Sequence, residues 1–146
     1  MAPHFVCMGR IADYVIGLLE ETLGGPATRE KRFAWAVGDP SPRTGRSALL
    51  PFDAVWESRR LIVEVDEDQH RRPVKFWDKP DTVTVSGVSR GRQRAIYDAR
   101  KRAAARAHGF TVVEIPWERR PPPGRRNREA DRQRLTRLLG EAGVSL

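Results

Sequence analysis

Cysteine is almost absent: Cys7 is the only one in 146 residues. A single thiol excludes an internal disulfide and any multi-cysteine zinc site built within one chain, and it fits a reducing compartment. Lysine is scarce too. Only Lys31, Lys75, Lys79 and Lys101 occur, so nearly all of the 27 basic residues are arginines. No apolar run approaches the length of a membrane span, and the opening MAPHFVCMGR lacks the charged start and apolar stretch of a secretory signal. The expectation is a soluble, cytoplasmic protein without a membrane partner. No internal repeat or long low-complexity tract is present.

What the chain does carry is positive charge, 27 Lys+Arg against 19 Asp+Glu, a net charge of +8. Arginine forks suit bidentate phosphate contacts, so the excess points to a polyanionic partner, most simply nucleic acid. The length fits one domain with a sizeable core. We read residues 1–118 as an α/β core with a basic insertion at 71–92. Residues 119–146 form a basic, proline-rich linker and a last helix of the same domain.

Residues 51–70, PFDAVWESRRLIVEVDEDQH, mix strand-like apolar runs with six carboxylates: Asp53, Glu57, Glu64, Asp66, Glu67 and Asp68. LIVEV is a strand by composition, and alternation places Leu61, Val63 and Val65 on one face and Ile62, Glu64 and Asp66 on the other. A hairpin centred on Glu57–Arg60 sets Asp53 of the preceding strand opposite Glu64. Facing carboxylates repel unless a cation sits among them, and hard oxygen ligands suit Mg²⁺. The same alternation also suits the solvated face of an antiparallel sheet.

Ile11, Val15, Leu18, Leu19 and Leu23 recur at helical spacing, and Gly24-Gly25-Pro26 ends that helix. Glu21 lies at the border of its apolar stripe, where it could reach an acidic site or stand solvated as a helix-end glutamate. Arg32–Val37 reads as a strand, followed by the turn-rich GDPSPRTGRS. In 71–94, basic Arg71, Arg72, Lys75, Lys79, Arg90, Arg92 and Arg94 interleave with Phe76 and Trp77, a pattern that can hold a phosphate backbone and stack on bases; a Trp-anchored surface loop is the other reading. Thr82–Val85 adds a short strand. Residues 93–108 form a helix closed by Gly109, with Ile96, Ala99, Ala103 and Ala107 as a small-residue stripe for the sheet and Arg94, Asp98 and Lys101 on the solvated side. Phe110–Trp117 is a strand whose crossover helix implies parallel pairing. In the last helix, 129–139, Leu135, Leu138 and Leu139 share a side that could cover the sheet or pair with another subunit. The whole is a mixed sheet flanked by helices.

This order, with an acid on the second strand and Glu64-Val65-Asp66 on the third, resembles the PD-(D/E)xK nuclease superfamily, most closely its small very-short-patch-repair-like and standalone restriction-type endonucleases. The carrying residues are Phe52-Asp53, Glu64-Val65-Asp66 with Gln69-His70, Tyr97-Asp98-Ala99-Arg100, Gly109-Phe110 and Val112–Trp117. The resemblance covers about residues 11–118. Two departures stand out. The superfamily lysine two residues after Glu64 is replaced by Asp66, and one cysteine cannot build the structural zinc site of the repair enzymes. A second register, Glu67-Asp68-Gln69, is similar to the acid-x-Gln variant of some restriction enzymes.

The resemblance implies a metal-dependent endonuclease acting on double-stranded DNA, in restriction-type defence or in mismatch or lesion repair. Asp53 and Glu64 would hold Mg²⁺, with Mn²⁺ able to substitute, and Asp66 would add a ligand or orient a water. Glu67 takes that place in the second register. His70 would be a general base or a phosphate contact, against the alternative of a surface histidine, and Gln69, Lys75 or Lys79 would replace the missing lysine. Arg71, Arg72, Lys75, Trp77, Lys79, Arg90, Arg92 and Arg94 would bind DNA. Cutting both strands with one site per chain would call for a homodimer or two nicks. Competing readings are a non-catalytic nucleic-acid-binding module on a degenerate nuclease scaffold and a basic protein-interaction domain.

Overall fold

Apolar residues spaced for a helix and alternating residues in strands sort this chain into three layers, α on β on α. The computed structural model describes residues 10–67, 87–118 and 127–146. Its element order is α1 (Arg10–Leu23), β1 (Thr28–Val37), β2 (Leu49–Trp56), β3 (Leu61–Glu67), α2 (Arg90–Ala107), β4 (Thr111–Trp117) and α3 (Arg128–Glu141). Cys7, Asp68, Gln69, His70, Arg71, Arg72, Lys75, Trp77 and Lys79, the strand expected at Thr82–Val85 and the linker 119–126 lie outside the described residues.

The sheet runs β1-β2-β3-β4. β1–β2 and β2–β3 pair antiparallel, while β3–β4 pair parallel, as a crossover helix requires. A single 3₁₀ turn, Glu57–Arg59, joins β2 to β3. Arg60 completes it in the left-handed region at φ 52°, and its guanidinium lies 4.3 Å from the Phe110 ring centre. α1 ends where Gly24, at φ 75°, turns left-handed and donates to the Glu20 carbonyl at 3.0 Å.

On one face α1 and α3 press Val15, Leu18, Leu19, Leu135 and Leu139, all fully buried, against Trp56, Leu61, Val63 and Ile115. The last helix therefore covers the sheet, the first of its two expected roles. On the other face a smaller cluster, Ala36, Phe52, Val55, Ile62, Ala105 and Phe110, lies under α2. Here one expectation is corrected. Ile96, Ala99, Ala103 and Ala107 are exposed, and Ala105 is the only fully buried residue of α2. The helix turns its polar stripe toward the sheet because the long stems of Tyr97 and Lys101 bridge a gap that alanines would leave empty. Among the described residues no helix is long and apolar enough to cross a membrane.

Candidate active site

The apolar cover on the α2 face stops one pleat short of the acids. Ile62 and Val112 belong to the cluster under α2, whereas Glu64 and Glu114, the next residues of the same parity and partners in the parallel ladder, open into a pocket of about 590 Å³. β2 and β3 contribute Leu50, Pro51, Asp53, Glu64 and Asp66, and α2 contributes Arg90, Gln93, Arg94, Tyr97, Asp98, Lys101 and Arg102.

The expected facing pair is present. The β2–β3 register Ala54↔Val63, Val55↔Ile62, Trp56↔Leu61 continues to Asp53 beside Glu64, and there side chains replace ladder bonds. The Asp53 carboxylate accepts from the Val65 N–H at 2.8 Å, and the Glu64 carboxylate accepts from the Asp53 N–H at 3.2 Å. Two acids are thus locked by backbone donors rather than left to rotate in solvent. The solvated-face reading does not describe them: the Glu64 side chain is 18% exposed and its partner Lys101 11%.

Lys101 donates to Glu64 at 2.7 Å, and its ammonium lies 4.9 Å from the Phe52 ring centre. Burial pushes the Glu64 carboxyl up to about 8; Lys101 opposes this with charge and a hydrogen bond, while Asp53 adds to it by repulsion. One ammonium does not offset two adjoining carboxylates. The pocket as a whole is lined by five carboxyl groups, Asp53, Glu64, Asp66, Asp98 and Glu114, and four cations, Arg90, Arg94, Lys101 and Arg102, a near balance in a chain of net charge +8.

The structure brings together Asp53, Glu64, Asp66, Arg90 and Arg94 of the residues singled out by sequence. Arg92 is exposed on α2 and does not line the pocket. Glu67 is 4% exposed and has the parity of Leu61, Val63 and Val65, away from Glu64. Glu21 pairs with Arg128, linking α1 to α3 outside the pocket. Sequence reasoning missed Lys101, assigning it with Arg94 and Asp98 to a solvated side; it also left out Gln93, Arg102 and Glu114, and Tyr97 and Asp98 entered only as carriers of the resemblance. A signal was available in the pairs 93/94, 97/98 and 101/102, polar residues at helical period in line with buried Ala105.

Among the described residues no three His, Cys, Asp or Glu side chains converge as a ready metal cage. Two locked carboxylates are nevertheless a donor set that suits Mg²⁺, which keeps several waters and needs only one or two carboxylates. No family model matches the chain, and no curated protein or solved structure is significantly similar to it.

Proposed function

We propose that the protein is a Mg²⁺-dependent DNA endonuclease of the PD-(D/E)xK kind. The observation that carries this reading is the meeting of Asp53, Glu64 and Lys101 on one sheet face, with Lys101 Nζ 2.7 Å from Glu64. The nuclease motif asks for two acids and a lysine, and the strand position that should hold the lysine holds Asp66. Lys101 restores the third member from α2.

Asp53 and Glu64 would hold the ion, with Asp66 on the same pocket wall. When bound, the ion supplies Lewis-acid polarisation of the phosphate and lowers the pKa of a neighbouring water. Lys101 keeps Glu64 toward its ionised form and places an ammonium where charge builds on phosphate oxygens. Arg90 and Arg94, in the first turns of α2, line the same pocket and suit the flanking phosphates. Gln69 and His70, which lie outside the described residues, keep the roles proposed for them from the sequence. Double-stranded DNA as substrate, Mn²⁺ as a substitute, action by a homodimer, and service in restriction or repair belong to the same proposal.

One observation favours a second reading. The strand position at which the motif carries lysine holds Asp66, and the Lys101 ammonium is engaged by Glu64 at 2.7 Å, as a nucleic-acid-binding module on a disabled nuclease scaffold would allow. Cleavage of supercoiled plasmid and of labelled duplexes, some mismatched or modified, separates the two. Metal-dependent cutting lost in Asp53→Ala and Glu64→Ala supports the enzyme, and the products sort restriction from repair. DNA binding that survives EDTA, with every substrate intact under every metal, supports the module.

A further inference from the structure

The β1–β2 hairpin tip, residues 38–48, has had no role so far. Its backbone is closed by three hydrogen bonds, Gly38 N–H to the Ala48 carbonyl at 2.9 Å, Ser41 N–H to Arg46 at 2.9 Å and Gly45 N–H to Ser41 at 2.8 Å. Beyond the buried Gly38 it presents itself to solvent; residues 42–49 are all exposed. What holds it in place is α2. The Asp39 N–H donates to the Tyr97 hydroxyl at 2.8 Å, and Arg100 pairs with Asp39 at 2.8 Å. Gly38 lies so close to the Tyr97 ring that a Cβ there would come within 2.9 Å of it.

Topology puts this tip at the pocket. The start of β2 supplies Leu50 and Pro51 to the lining, and antiparallel β3 and parallel β4 bring their C-terminal halves to that same end, where the first turns of α2 also lie. The tip carries two cations, Arg43 and Arg46. Most described arginines are engaged: Arg29, Arg102 and Arg128 meet carboxylates, and Arg59 meets carbonyls. Arg43 and Arg46 are different, for among the described residues neither guanidinium has a carboxylate or carbonyl partner. Arg43 and Arg46 thus stand exposed in one turn whose backbone is closed on itself by hydrogen bonds, with both guanidiniums available to an anion.

We infer that the hairpin tip is a preformed phosphate-backbone contact, in which Arg43 and Arg46 grip a nucleic-acid strand as it enters the pocket at the end where Arg90 and Arg94 also lie. The inference rests on the nucleic-acid reading above and adds the surface that positions the strand. Bidentate guanidiniums on a rigid hairpin set register without reading sequence.

The test is duplex binding by the full chain in EDTA across a salt series, for wild type, Arg43→Ala/Arg46→Ala, Arg43→Lys/Arg46→Lys, and Arg106→Ala. Arg106 is an exposed arginine at the far end of α2 and controls for net charge. The expected result is a slope of log affinity against log salt shallower by about two in the double alanine variant. The lysine pair should retain most of the slope and Arg106→Ala all of it. Wild-type binding with an unchanged slope in the double alanine variant would overturn the hairpin contact and leave the nuclease reading standing; a loss in Arg106→Ala of as much as half the double variant's would reduce it to bulk charge. No wild-type binding at any salt would overturn both.

Discussion

At Glu64 burial and Asp53 push toward the protonated carboxyl while Lys101 pulls back, and the balance near 8 against an ordinary 4.5 has a sign in stability. The folded chain keeps a proton that the unfolded chain releases. The resulting stability is fully present below about 4.5 and is lost as pH rises through about 8. In metal-free buffer, the unfolding free energy of Glu64→Gln minus that of wild type should grow steadily from pH 5 to pH 8, measured by urea denaturation. A difference independent of pH would mean that Glu64 titrates as an ordinary carboxyl. Lys101→Ala leaves the two acids facing each other, and we expect single-turnover cleavage to fall about 100-fold with duplex affinity nearly kept; unchanged cleavage would remove Lys101 from the chemistry. Asp53 and Glu64 were legible in the sequence because alternation and a four-residue turn fix which strand residues meet. Lys101 was not, because its partner is set by how a helix rolls against the sheet.

Among the elements, α2 is where local pattern and tertiary packing part. Its alanines and Ile96 form the stripe that small-residue packing suggests, yet they face outward, and the sheet side is held by Tyr97, Lys101 and Ala105. The strands carried a stronger signal, since a one-residue slip in β3 would bury Glu64 and Asp66 under α1 and expose Leu61, Val63 and Val65. Two substitutions test these joints. Gly38→Ala sets a Cβ against the Tyr97 ring, and we expect a loss of about 1–3 kcal/mol in chemical denaturation; no loss would mean that the hairpin and α2 are not firmly joined. Leu135→Ala opens a void in the cluster that joins α3 to the sheet, expected to cost about 2–5 kcal/mol. A cost that vanishes on dilution would assign Leu135 to an interface between chains.

For the molecule as a whole, the layers divide the work. α1 and α3 seal one sheet face with apolar contacts, which leaves the other free to hold charge where β2 and β3 part and α2 closes over. The chain is strongly basic while its pocket gathers five carboxyl groups beside four cations; on the function proposed above, the outer surface would meet a polyanion and Asp53 with Glu64 would hold a cation. Direct binding of Mn²⁺ by calorimetry, on wild type and Asp53→Ala at pH 7.5 and 5.5, tests the claim that joins them. A nuclease centre built on Asp53 and Glu64 binds one ion per chain at pH 7.5, at least about tenfold more weakly at pH 5.5, where protons compete for Glu64, and not measurably in Asp53→Ala. Absence of binding at pH 7.5, or equal binding by Asp53→Ala, would contradict it.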